Sequence, residues 1–101
     1  MIADINLKNR VYYVYNELGK EISHNFENNL GELMGFTGKF IIFRKNRAYY
    51  VYDENFHELA HNFESNLGEF KNAAGVAINF RRNRVIYTYN YQLKELSHRF
   101  E

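Results

Sequence analysis

Asn9-Arg10-Val11-Tyr12-Tyr13-Val14-Tyr15 returns as Asn46-Arg47-Ala48-Tyr49-Tyr50-Val51-Tyr52, and again as Asn83-Arg84-Val85-Ile86-Tyr87-Thr88-Tyr89. Both offsets are 37 residues, with no insertion between copies. The echo continues downstream as Ser23-His24-Asn25-Phe26-Glu27, Ala60-His61-Asn62-Phe63-Glu64 and Ser97-His98-Arg99-Phe100-Glu101. A fixed period of this length marks one supersecondary unit that buries its apolar face only by stacking on its neighbours. The repeat spans the 101 residues as a single domain, in units of about 1–27, 28–64 and 65–101.

Within each copy the pattern has period two. Val11, Tyr13 and Tyr15 fall on one face of a strand and Tyr12 and Val14 on the other, so the strand is apolar on both faces and expected to be central. Phe40-Ile41-Ile42-Phe43 and Ala77-Ile78-Asn79-Phe80 are expected to precede it as strands, joined by tight turns at Lys45-Asn46 and Arg82-Asn83. Asn tolerates the left-handed conformation that such turns use. A third strand alternates Ile22, His24 and Phe26 against Glu21, Ser23 and Asn25, which predicts a half-buried strand with the first set inward. Each unit is thus a three-stranded meander. The connectors Asn29–Leu33 and Asn66–Phe70 are expected as a fourth strand in preference to a helical turn, because glycines punctuate short runs there.

The opening strand of the first copy, Ala3-Asp4-Ile5-Asn6-Leu7, carries Asp4 and Asn6 where later copies have Ile41 with Phe43 and Ile78 with Phe80. A polar face is what a terminal repeat without a predecessor requires. The expected fold is therefore all-β: three tandem antiparallel meanders, propeller-blade-like, in an open array. A three-fold, β-prism-like closure is the alternative. The Tyr-x-Tyr-Asn/Asp ending, as in Tyr50-Val51-Tyr52-Asp53, resembles the outer half of a propeller blade and bacterial tandem tyrosine repeats. The monocot mannose lectins share the three-unit prism and a Gln-x-Asp-x-Asn-x-Val-x-Tyr sugar motif. Of that motif only Asp4 and Asn6 match, and Lys8 and Arg10 stand where Val and Tyr are required, so the sugar site does not carry over.

Composition narrows the chemistry further. The chain has no cysteine, hence no disulfide framework, thiolate metal site or cysteine nucleophile. No apolar run is long enough to span a membrane, and a cytoplasmic protein without membrane contact is the expectation. The net charge of +1 does not by itself point to a nucleic-acid partner. His24, His61 and His98 recur at the repeat spacing and are the candidate metal ligands, but their apolar strand neighbours favour packed, hydrogen-bonded core residues.

Basic residues concentrate at the turns. Arg10, Arg44, Lys45, Arg47, Arg81, Arg82 and Arg84, with Lys8, are the candidate anion-binding residues. The meander brings Glu27, Glu64 and Glu101 towards Arg10, Arg47 and Arg84, which predicts ion pairs between them. No Gly-rich phosphate loop, nucleophile elbow or asymmetric acid–base pair is present. The expectation is a non-enzymatic binding module without a cofactor. Its partner is expected to be a protein or a second copy of the chain, meeting an unprotected end of the array. An anion or nucleic-acid ligand at the basic turns is the alternative, as is a carbohydrate.

Overall fold

The computed structural model describes residues 1–101. Eleven strands form three antiparallel sheets, and none closes on itself. The first sheet contains β1 (Asp4–Lys8), β2 (Val11–Tyr15) and β3 (Glu21–Phe26) in that order. A helical turn, α1 (Glu27–Leu30), leads to β4 (Glu32–Phe36), β5 (Ile41–Lys45), β6 (Ala48–Tyr52) and β7 (Glu58–Phe63), which make the second sheet. A second helical turn, α2 (Glu64–Leu67), leads to β8 (Glu69–Ala74), β9 (Ala77–Arg82), β10 (Val85–Asn90) and β11 (Glu95–Phe100), the third. Registers correspond at the 37-residue spacing: Val11 faces Phe26, Ala48 faces Phe63, and Val85 faces Phe100.

The connectors hold both a helical turn and a strand, where a strand alone was expected. Leu30 and Leu67 are fully buried from the helical turns, and Gly31 and Gly68 end them at φ of 93° and 98°. A Cβ on Gly68 would fall against the Arg81 carbonyl oxygen, so the chain turns from helix into strand there only without a side chain.

Two apolar clusters hold the sheets together. Tyr12 and Val14 of the first sheet pack with Ile41 and Phe43 of the second. On the reverse face of the second sheet, Ile42, Tyr49 and Val51 pack with Ile78, Phe80 and Tyr89 of the third. Edge-to-face contacts such as Tyr12–Phe43, with ring centroids 5.0 Å apart, add to the area buried. The middle sheet is therefore covered on both sides, as its two-faced apolar pattern requires.

Both outward faces carry polar residues where the middle sheet is apolar. On the first sheet Asp4 and Asn6 are exposed. On the third, Asn79 and Thr88 stand where the second sheet has Ile42 and Val51. Thr88 Oγ1 donates to Asn79 Oδ1 at 2.6 Å, and Asn79 Nδ2 donates to Asn72 Oδ1 at 2.7 Å. The polar third-sheet face is a feature that the sequence reading missed, although comparing the copies position by position shows it.

The outer strands differ from expectation. Phe26, Phe63 and Phe100 are 58%, 59% and 82% exposed, and His24 is exposed, whereas Ser23 is half-buried with its hydroxyl on the Glu54 carbonyl. The cause is position: β3, β7 and β11 are edge strands, and their last residues run beyond the packed zone.

Candidate functional site

The β1–β2, β5–β6 and β9–β10 turns are built alike. Asn9 and Arg10 have φ of 52° and 65°, Asn46 and Arg47 have 52° and 63°, and Asn83 and Arg84 have 52° and 66°. Two successive positive φ values define the hairpin turn that matches strand twist, and its second position normally favours glycine. Arginine occupies that position in all three turns. A non-glycine residue there costs about 1 kcal/mol.

Elsewhere in the chain, positive φ is offset by packing. Phe56 (φ 62°) packs against Phe43 and Tyr52, and Leu93 (φ 59°) packs on the core beside Phe80 and Tyr89. In the first sheet, which has no preceding neighbour to pack on, the corresponding residue is Gly19. Arg10, Arg47 and Arg84 have no such compensation. Their side chains make no ion pair or hydrogen bond, and only their carbonyls are used, accepting from the N–H groups of Glu27, Glu64 and Glu101.

The expected pairing of those glutamates with the turn arginines is therefore corrected. Arg44 meets Glu64 through Nε–Oε2 and Nη2–Oε1, both 3.0 Å, and Arg81 Nε meets the Glu101 carboxylate at 2.8 and 2.9 Å. These partners are strand residues that lie beside the carboxylates, while the turn arginines project at the tips. In the first copy Leu7 stands at the place of Arg44, and Glu27 has no salt bridge. Hydrogen bonding to Arg44 lowers the Glu64 pKa and raises that of Arg44. Tyr49 joins the group, accepting from the Phe70 N–H at 3.2 Å and reaching Glu64 Oε2 at 3.4 Å; burial raises its pKa.

Of the other candidate anion-binding residues, Lys45 Nζ donates to the carbonyls of Asn28 and Asn29 at 2.9 and 3.3 Å. The Arg82 guanidinium carbon lies 4.4 Å above the Tyr87 ring, a cation–π contact. Four of the seven are thus occupied internally, and the three turn-tip arginines are free. Beside each one in its sheet stands an exposed phenylalanine, across from the residue that follows the arginine. Arg47, Phe63 and Ser65 line an open hollow of about 720 Å³ at this edge.

The three histidines do not form a core or converge. Nδ1 of His24, His61 and His98 bonds Glu21, Glu58 and Glu95 at 2.9, 2.7 and 3.1 Å. Their rings lie over Tyr13, Tyr50 and Tyr87, with centroids 5.6, 5.3 and 5.7 Å apart. All three are more than half exposed, and no group of three or more His, Asp or Glu side chains is arranged to hold a metal.

The modest net charge conceals a strong polarity. In each meander the tight turn and the end of the outer strand lie at one end of the molecule. Lys45 Nζ on the carbonyls of Asn28 and Asn29, and the Phe70 N–H on the Tyr49 hydroxyl, align these ends between sheets. That end carries ten of the thirteen Lys and Arg but five of the twelve Asp and Glu. The opposite end, with the β2–β3, β6–β7 and β10–β11 turns, carries the other three cations and seven carboxylates.

Comparison of the chain with protein-family models, curated proteins and solved structures gives no match. No helix is long and apolar enough to cross a membrane.

Proposed function

We propose that this chain is a non-enzymatic interaction module. Three meander repeats, about 1–27, 28–64 and 65–101, stack as an open array and present a row of Arg–Phe pairs to an acidic protein partner. One observation carries the reading. In three equivalent turns an arginine occupies a conformation better suited to glycine, without an internal contact that offsets the cost. A backbone cost repeated at a surface tip is a reason to look for function there.

An exposed phenyl group beside a free guanidinium supplies apolar area and a charge-assisted hydrogen bond at one point, the chemistry of an interface anchor. Neighbouring sheets lie roughly 10 Å apart, and a polyproline-II peptide turns once in three residues at about 3.1 Å each, so carboxylates three residues apart on one face would meet successive arginines. Nucleic acid is the second reading, because phenylalanine also stacks on bases. The five carboxylates at the same end favour a spaced acidic peptide over a continuous phosphate backbone. Carbohydrate has less support, since Tyr13, Tyr50 and Tyr87 each have one face covered by a histidine.

The test is binding of labelled poly-L-glutamate, against an oligothymidylate of similar length, over a salt titration. Salt-sensitive binding of polyglutamate, lost in an Arg10→Ser, Arg47→Ser, Arg84→Ser variant, is the expected outcome. Preference for the oligothymidylate would transfer the site to nucleic acid. Binding of neither would remove the proposal.

A further inference from the structure

We infer that the acidic partner of the basic end is the opposite end of a second copy, so that the chain associates head to tail. This rests on the binding role proposed for the turn-tip arginines and names its occupant.

Charge complementarity carries the inference. The ends hold opposite excess charges of similar size within a chain whose total is only +1. An unrelated acidic partner would satisfy one end and leave the other unmatched. A second copy satisfies both. Opposed charged surfaces of this kind steer encounter and fix orientation.

The acidic end has the shape and apolar content to receive the basic one. It contains a shallow cleft of about 580 Å³ whose wall includes Met1, Lys39, Asp53, Glu54, Val76 and Tyr91; the Met1 ammonium lies 3.3 Å from Glu54, an exposed pair that an arginine of another copy would have to displace. Leu59, Val76 and Tyr91 are 38%, 46% and 37% exposed. Phe63 and Arg47 of another copy offer matching chemistry, an apolar ring beside a cation. Glu17 and Glu54 occupy equivalent positions in the turns of this end, as Arg10 and Arg47 do at the other.

Several other routes to self-association are blunted. Both outward sheet faces are interrupted by polar residues, Asp4 with Asn6 and Asn79 with Thr88. Three of the six edge strands carry their own caps: Asp4 accepts from the N–H of Ile5 at 2.9 Å, Asn25 from Phe26 at 2.7 Å, and Asn62 from Phe63 at 2.8 Å. Side chains that occupy edge N–H groups disfavour strand addition. The turn ends are the surfaces of complementary charge, whereas the exposed edge β11 carries no such cap. Such a contact joins unlike patches, so it yields an open chain or a ring rather than a symmetric pair.

The experiment uses sedimentation velocity on the full chain over a wide concentration range at low and high salt. It includes a basic-end variant (Arg10→Glu, Arg47→Glu, Arg84→Glu), an acidic-end variant (Glu17→Lys, Glu54→Lys) and their mixture. The native chain should form oligomers that dissociate with salt. Each variant alone should lose association, and mixing the two should restore it, because each supplies the charge that the other lacks. A native chain that stays monomeric throughout, or oligomers indifferent to salt and to both variants, would overturn the inference. A monomer that still binds polyglutamate through its arginines would overturn only the choice of partner and leave the binding role intact.

Discussion

Arg44 grips Glu64 with two hydrogen bonds of 3.0 Å, although it is Arg47 whose carbonyl accepts from the Glu64 N–H. The strand arginine neutralises the glutamate and the turn arginine keeps an unpaired charge. The same division recurs in the third sheet, where Arg81 holds Glu101 and Arg84 has no partner.

The Arg44–Glu64 pair predicts an acid-dependent contribution to stability. The folded Glu64 pKa lies below its ordinary value, chiefly through the hydrogen bonds from Arg44, so the bond stabilises the native state fully above that ordinary value and is lost as pH falls through the lower folded one. Denaturant titrations should find Glu64→Gln slightly less stable than the native chain at neutral pH, a small difference because the pair is solvent-screened. The two curves should converge in acid. A difference that persists or grows there would contradict the assignment.

Capping of the third sheet predicts a gain of association when it is removed. Asn79→Ile with Thr88→Val restores the residue types that occupy these positions in the middle sheet. The variant should remain folded but self-associate through an apolar face, with little sensitivity to salt. An unchanged monomer–oligomer distribution would show that the polar pair is not a cap.

The polar residues on the outward face of the first sheet were legible in the sequence because Asp4 and Asn6 interrupt an otherwise apolar strand. Those of the third sheet, Asn79 and Thr88, were equally present but were missed, since each is polar on a strand that still carries Ile78, Phe80 and Ile86. The strands and Asn turns were legible because period-two alternation and turn chemistry are local. The histidines were misplaced for a physical reason: alternation tells which residues share a face, not whether another sheet covers it. The Arg–Glu partners depended on which side chains lie together across strands, and closeness of backbone ends pointed to the wrong arginine. Net charge, finally, conceals any separation of charge along the molecule.

Gly68 is predicted to be intolerant of a side chain. Gly68→Ala would place a Cβ against the Arg81 carbonyl at a φ that L-residues rarely adopt, and should destabilise the fold by about 3 kcal/mol in chemical denaturation. Gly19→Ala, which meets no atom within 4 Å, should cost only the smaller backbone term. Equal losses at the two sites would contradict the close approach at Gly68.

Phe56 provides the control for the turn arginines. Phe56→Gly relieves a left-handed residue but removes a ring packed on Phe43 and Tyr52. Thermal unfolding should show a net loss of about 1–2 kcal/mol, because buried aromatic area outweighs the backbone relief. A stabilised variant would mean that the packing does not offset the strain.

The most direct test is the stability of an Arg10→Gly, Arg47→Gly, Arg84→Gly variant, measured by denaturant unfolding alongside its affinity for poly-L-glutamate. Glycine removes the left-handed cost but adds freedom to the unfolded chain, leaving a predicted net gain of about 0.5 kcal/mol per turn. Higher stability together with lost binding is the result expected of arginines held for a partner. A variant that is less stable, or one that binds as tightly as before, would contradict the account.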